Sequence, residues 1–214
     1  FGLAATIVPN IVNLERFSAN SVPRGARRHL LVARNLEPIY GNETAIRALA
    51  LVHSSHPDVT LTIAGSGPLL GQLSDLAASL GLSSVVTFAG RLEPQQMADL
   101  YRSADIALNP SLIDNMPNSV LEAMATGLPI VSTNVGGVPH ILRNNETAIL
   151  VPPNAPGEMA QAIVRLIEDE SLCARMTQSA SVDVRRYSWQ RVWPAWSEAY
   201  RVVRTSGRHL AKEG

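Results

Sequence analysis

The sequence predicts an α/β fold, a Rossmann-like parallel sheet with helices on both faces. Three observations carry this. Apolar runs alternate with helix-patterned stretches along nearly the whole chain. Most of the runs are short, continuous and bounded by Gly, Pro or Asn, as suits strands buried on both faces. The chain has 214 residues, 46% hydrophobic and 17% charged, which excludes a disordered chain. At roughly 100–200 residues per domain that is one large domain or two small ones, with about 70% of the unfolded surface available to a core.

The elements follow in order. Ala4–Pro9 and His29–Ala33 open the series as strands, and residues 42–55 form the first helix. Strand Thr60–Ala64 leads into helix 68–81, strand Val85–Ala89 into helix 94–103, and strand Ile106–Asn109 into helix 118–126. Strand Pro129–Ser132 precedes helix 136–143, and strand Ala148–Val151 precedes helices 157–169 and 171–185. Strand then helix, repeated, implies parallel pairing through right-handed crossovers. Residues 187–204 stand apart, because Trp189, Trp193, Trp196 and Tyr200 fall 4, 3 and 4 residues apart on one helical face. Pro194 interrupts that pattern, so a kink or a late helix start is expected there. The division is 1–186 as the sheet domain and 187–214 as a terminal helix with a basic tail.

Composition narrows the function classes. The 18 basic and 18 acidic residues cancel, and they cancel within each half, so wholesale binding to nucleic acid is not expected. The one cysteine, Cys173, excludes a disulfide framework and a multi-cysteine zinc site, and reads as a small core hydrophobe. A reducing, cytoplasmic setting fits. No apolar run reaches the ~18 residues of a membrane span. The chain opens on an apolar stretch without Met, as expected of a piece of something longer.

Ligands of open parallel sheets bind at the carboxyl ends of the strands, in the loops leading into helices. Four such loops carry candidate chemistry. In Asp114–Pro129, D-N-M-P-N-S-V-L-E-A-M-A-T-G-L-P, Pro117 sits near a helix start and Gly127 and Pro129 near its end. Asp114 then lies in the loop and Glu122 inside the helix, and the amides of Asn115, Met116, Asn118 and Ser119 gather at its positive end. Two carboxylates there are poor phosphate ligands but good acceptors for hydroxyls, including both hydroxyls of a diol. A capping Asp and a solvated helix Glu explain the same spacing. Arg34, in L-L-V-A-R-N-L-E-P-I-Y-G, can hold a diphosphate or pair with Glu37 on the surface. A-G-S-G-P, Ala64–Pro68, reads on its own as a tight turn. N-V-G-G-V-P-H, Asn134–His140, offers either a close backbone approach to a ligand or a sharp turn. The histidines show no metal spacing, and Glu168-Asp169-Glu170 reads as solvated surface.

Taken as an ordered set, these pieces resemble the carboxyl-terminal half of a retaining glycosyltransferase of family 4, one half of a GT-B fold. The resemblance runs from T-I-V-P-N-I-V-N-L-E-R-F (Thr6–Phe17) to Y-S-W (Tyr187–Trp189). Between them come V-A-R, A-G-S-G-P, V-V-T-F-A-G-R-L, S-A-D-I-A-L-N-P-S, the acidic pair, E-A-M-A-T-G-L-P-I-V and V-G-G-V-P. It implies that Asp114 and Glu122 are the family's acidic pair, with Asp114 replacing the first Glu at unchanged spacing. Asp114 would meet hydroxyls of a donor sugar, and Glu122 would hold a ribose diol. The loop amides between them would bind the sugar and phosphates, although Pro117 has no N–H to give. Arg34 matches the diphosphate-binding Arg, and with Asp114 it would serve catalysis. Tyr40 stands where a second basic residue is common. Gly65 marks the Gly turn, and Gly90, Arg91 and Leu92 correspond to the base-binding loop. His140 replaces a Glu.

The resemblance implies a donor-binding half that, with an amino-terminal half, transfers a sugar from a nucleoside diphosphate sugar to a glycan or lipid-linked acceptor. No cofactor or metal is implied, and the fragment alone is expected to show no turnover. The terminal Trp face would then wait for the other half, or else pack on this domain's own sheet. Seven basic residues against one acidic from Arg185 to Lys212 add an expectation of peripheral contact with anionic lipid, weighed against a simply solvated tail. A non-catalytic nucleotide-binding scaffold and a sugar-nucleotide epimerase are the rival readings. A phosphorylase using pyridoxal phosphate fits poorly, since the only lysine is Lys212.

Overall fold

A computed structural model describes residues 7–19 and 29–210. Its centre is a six-stranded sheet of β1 (His29–Ala33), β2 (Thr60–Ala64), β3 (Val86–Gly90), β4 (Ile106–Asn109), β5 (Ile130–Thr133) and β6 (Ile149–Val151). The order is β3-β2-β1-β4-β5-β6, and every pairing is parallel. The chain reverses its direction of travel across the sheet between β1 and β4. That switch point opens a crevice at the carboxyl edge.

The helices are α1 (Asn42–His53), α2 (Leu70–Ser79), α3 (Pro94–Ser103), α4 (Asn118–Ala125), α5 (Pro156–Glu168), α6 (Glu170–Asp183) and α7 (Trp189–Leu210). Strands buried on both sides need two layers of helix, and two apolar clusters supply them. One joins Leu30, Val32, Leu61 and Ile63 of the sheet to Leu49 of α1, Leu73 of α2, Ile163 of α5 and Met176 of α6. The other joins Leu31, Ala107 and Ile130 to Tyr101 of α3 and to Leu121 and Met124 of α4. Fully burying a side chain such as Leu49 or Ile163 is worth about 2 kcal/mol. Cys173 is buried in the first cluster and donates its S–H to the Leu166 carbonyl (3.1 Å), as expected of a small core residue.

The structure departs from the sequence reading in three places. Of the expected strand Ala4–Pro9, residues 4–6 lie outside the described residues, and Ile7–Pro9 form no strand. Ile7 is 91% exposed. Pro9 has no N–H for a ladder, and Asn10 is tied instead to Met116, whose carbonyl accepts from Asn10 Nδ2 (2.9 Å). The expected helix 136–143 is only a 3-10 turn over Val138–His140. Its chain is drawn into a local network, where Arg143 N donates to Thr147 Oγ1 (2.8 Å) and Asn145 sits at φ 61°. Pro194 does not delay the last helix, which starts at Trp189 and includes it.

α7 is anchored at its root. Val12 N donates to Tyr187 O (3.0 Å), and Val192 is buried. Its Trp face is not packed into the sheet. Trp189 and Trp193 are 53% and 46% exposed and stack on each other with centroids 4.7 Å apart. Trp196 and Tyr200 stack likewise at 5.6 Å.

Candidate functional site

At the carboxyl edge, over the switch point, lies a cleft of about 270 Å³ lined by the ends of β1 and β2, the loop after β3 and the start of α4. Arg34, Tyr40, Gly65, Arg91, Leu92, Asn118, Ser119 and Glu122 all reach it. Segments 80 or more residues apart in sequence are thus brought to one wall because parallel strands deliver every outgoing loop to the same edge.

Arg34 follows directly on β1 and turns toward the neighbouring β4. Its Nε and Nη2 both donate to Asn109 Oδ1, at 3.0 Å each, and Nη2 also pairs with the Asp114 carboxylate. The guanidinium lies 5.2 Å from the Tyr40 ring centroid, in cation–π contact. Three neighbours therefore fix the plane of one guanidinium. Both side chains of the Arg34–Asp114 pair are nearly buried, at 12% and 11% exposure. Arg34 pairs with Asp114 and not with Glu37, the surface partner that the sequence offered as an alternative.

Asn109 was not singled out from the sequence, yet it organises this corner. It is buried at the end of β4. Its Oδ1 accepts from Arg34 and from Ser111 Oγ (3.0 Å), and its Nδ2 donates to Ser132 Oγ (2.9 Å) on β5. A polar residue closing an otherwise apolar strand, I-A-L-N, was the available signal.

The Gly-Gly pair acts on the acidic loop by close approach. Gly137 N donates to the Asp114 carbonyl (3.0 Å). A Cβ added at Gly136 or Gly137 would collide with the backbone carbonyl of Asp114 or Asn115 respectively. A Cβ at Gly65 would likewise strike the Arg34 carbonyl. These glycines let one loop lie flat on the next.

Glu122 occupies the cleft wall at the second turn of α4. Burial is the main cause that raises its carboxyl to about 7, against smaller lowering by a hydrogen bond from Tyr101 and by the positive charges of Arg34 and Arg16. Tyr101 is fully buried in α3, and its hydroxyl donates to the Ser119 carbonyl (3.1 Å). Burial, then the neighbouring Glu122, holds its own proton well above the ordinary range. Asn118 and Ser119 open α4, so their N–H groups have no carbonyl one turn back.

Not every expected residue lines the cleft. Asp114 sits behind Arg34 rather than beside Glu122 on the wall. Asn115 is held against Gly137, and Met116 faces Asn10. Gly90 ends β3 at φ 67° and turns Arg91 and Leu92 inward. His140 is exposed, away from the cleft. Among the described residues, no group of three His, Cys, Asp or Glu side chains is placed to hold a metal ion. No described helix is long and apolar enough to cross a membrane.

Residues 15–182 match the family described as Glycosyl transferases group 1. The chain belongs to that family. Among similar group 1 glycosyltransferases is a D-inositol 3-phosphate glycosyltransferase of Arthrobacter sp. (strain FB24), 30% identical over 183 residues. That match covers 84% of this chain and 43% of the relative. An uncharacterized glycosyltransferase of Methanocaldococcus jannaschii is 32% identical over 164 residues, covering 76% and 42%. The chain thus spans somewhat under half the length of these two relatives. In fold it is similar to the C-terminal domain of a group 1 glycosyl transferase from Francisella tularensis (TM-score 0.75, 22% identity), covering 83% of this chain and 98% of that one. It is also similar to the Anabaena protein HepE, solved with UDP (TM-score 0.80, 19% identity), covering 94% and 57%. The architecture is that of one half of a GT-B glycosyltransferase.

Proposed function

We propose that this chain is the donor-binding half of a retaining glycosyltransferase that moves a sugar from a nucleoside diphosphate sugar to a glycan or lipid-linked acceptor. The observation that carries it is the single cleft walled by Arg34 and Glu122, with the start of α4 between them. The named activity of the similar glycosyltransferases and the UDP held by the similar fold support the same reading.

Each role follows from what the side chain can do. Glu122 accepts the two hydroxyls of the ribose, as an ionised carboxylate with free lone pairs can. The backbone at Gly90, Arg91 and Leu92 meets the base. Arg34 and the positive end of α4 hold the diphosphate, and as the glycosidic bond to it breaks they offset the charge that develops on the leaving oxygen. Asp114 sets the pose of Arg34 and reaches hydroxyls of the donor sugar from the loop. No metal is needed for this, since the guanidinium and helix terminus carry the charge. Tyr40 brings no positive charge and instead fixes the Arg34 plane from below. The Trp face of α7 docks the amino-terminal half that supplies the acceptor side, and the basic tail adds peripheral contact with a membrane face.

Calorimetric titration with uridine, guanosine and adenosine diphosphates and their sugars tests the reading. One base should bind, and Glu122→Ala should abolish that binding. Unchanged affinity in the variant removes Glu122 from the ribose. The specific observation favouring a non-catalytic scaffold is Tyr40 in place of a second cation. Transfer, or slow donor hydrolysis, by a longer form of the protein would defeat it.

A further inference from the structure

The ends of β4 and β5 carry a polar cluster that an apolar sheet core does not need. Asn109, Ser111, Ser132 and Thr133 are all buried, each at 2% exposure or less. Ser132 Oγ accepts from Asn109 Nδ2 (2.9 Å) and donates to the Thr133 carbonyl (3.2 Å). Thr133 Oγ1 donates to the Ser111 carbonyl (2.6 Å). Ser111 Oγ donates back to Asn109 Oδ1 (3.0 Å). Burying polar groups costs free energy unless they are hydrogen-bonded, and these bond one another. Such a satisfied network is rigid. It leads out to Arg34, whose Nε and Nη2 both donate to Asn109 Oδ1, at 3.0 Å each.

A guanidinium has five N–H groups to give. The one on Nε and one on Nη2 go to Asn109, and the other on Nη2 goes to Asp114. Among the described residues Nη1 has no protein partner, so its N–H groups are what Arg34 keeps for a ligand in the cleft it lines. We propose that Asn109 is a positioning residue for the donor's diphosphate. Its Oδ1, steadied from β5 by Ser132, holds the Nε–Nη2 edge of Arg34 and so leaves Nη1 to the phosphate oxygens. This rests on the donor-site reading and deepens it.

The three neighbours of Arg34 constrain it in different ways. Tyr40 meets the flat face of the guanidinium, 5.2 Å from the ring centroid. It limits tilt but does not choose which N–H points at a ligand. Asp114 takes a single N–H, about which the group can still swing. Asn109 takes two on one edge, and that fixes rotation in the plane. An amide is suited to the task because it accepts without charge. A second carboxylate in its place would offset more of the positive charge that a diphosphate needs. An apolar residue there, in keeping with the I-A-L that precedes it, would leave Nε without an acceptor.

The test is a double-mutant cycle between Asn109→Leu and Arg34→Ala, with affinities for UDP and uridine read by NMR titration. Asn109→Leu keeps the volume and removes both polar ends. Alone it should weaken UDP about tenfold, the scale of one hydrogen bond to a charged group, and uridine less than about twofold. In the Arg34→Ala background it should change UDP affinity less than about twofold, because a residue that acts through Arg34 then has nothing to act on. Asn109 also ties β4 to β5, so Ser132→Ala supplies a milder break, with UDP weakened about threefold and uridine unmoved. The Arg34 Nε–H signal gives a direct signature. It should exchange slowly in the unliganded protein, stay slow when UDP binds, and exchange fast in Asn109→Leu. An equal loss in both backgrounds, a loss shared by uridine, an unchanged UDP affinity in Ser132→Ala, or an Nε–H that UDP releases to exchange overturns the proposal. Absence of UDP binding to the unaltered protein overturns the donor-site reading instead.

Discussion

Two of the hollows among the described residues differ in size, and the larger of the two is not where the chemistry gathers. A cavity of about 680 Å³ lies where α1, α2 and α5 begin, lined by Glu37, Glu43, Arg47, Gln72 and several leucines. The cleft at the switch point is about 270 Å³. In the larger hollow the charges settle each other on the surface. Glu43 accepts from Arg47 Nε at 2.8 Å, one helical turn apart, with both side chains about half exposed. In the smaller one Arg34 is clamped by three partners, and Glu122 is held where burial works against its charge. Size follows from how helices splay. Function follows from groups that the fold holds at a cost and leaves facing a ligand.

The strongest way to break this contrast is to remove a carboxylate from each hollow. Glu122→Ala deletes an acceptor for two hydrogen bonds to a charged group, each worth about 1.5–3 kcal/mol. A loss of at least about 100-fold in UDP affinity is expected by calorimetry. Glu43→Ala should change the same affinity less than about twofold. Equal effects from the two would dissolve the distinction. Arg34→Ala comes next. It should weaken UDP by about 10- to 100-fold while leaving uridine nearly untouched, because the guanidinium acts on phosphate and not on the nucleoside.

Glycines separate the two regions on stability. In Gly137→Ala the new methyl meets the Asn115 carbonyl, so a loss of about 1–3 kcal/mol is expected in urea unfolding. The loop holding Asp114 should shift with it. In Gly71→Ala, on α2 above the larger hollow, nothing lies within 4 Å of the added carbon. That helix should gain about 0.5–1 kcal/mol. A stable Gly137→Ala with undiminished UDP affinity would show that the acidic loop needs no such close support.

This pattern also explains what was readable in the sequence. The six strands matched their apolar runs to within a residue because a strand buried on both faces admits little else. Helix 118–126 was marked by Pro117 at one end and Gly127 and Pro129 at the other. The cleft was legible as a set of loop residues, since parallel topology sends those loops to one edge. Asp114 and Glu122 read as a pair only through the family resemblance, since a capping Asp and a solvated helix Glu explain the same spacing, and the fold turns them to different partners, one to Arg34 and one to the cleft wall. Asn109 and Tyr101 were missed because their roles arise from packing. An Asn ending a strand and a Tyr on a helix show nothing in sequence of the Arg and Glu they meet across the fold. The segment 136–143 misled because two glycines and an apolar run resemble a helix start, whereas the backbone there is shaped by contact with Asp114 and Asn115.

A pH series sharpens the contrast directly and, like the glycine variants, needs no ligand. Burial raises Glu122 from an ordinary 4.5 to about 7, so the folded state binds this proton more tightly than the unfolded chain does. The stability that comes from the protonated form is therefore fully present below about pH 4.5 and is lost as pH rises through 7. Between pH 5 and 8 the unaltered protein should lose on the order of 2–3 kcal/mol from this group. Glu122→Gln, which carries no proton to lose, should match it at pH 5 and exceed it at pH 8. In Glu43→Gln an exposed pair worth at most about 0.5 kcal/mol is removed, and the slope should stay as it was. Urea unfolding of the three proteins at the two pH values decides it. A Glu122→Gln protein that keeps the full slope would place the titrating group elsewhere, and the cleft would lose one of the features that set it apart from the larger hollow.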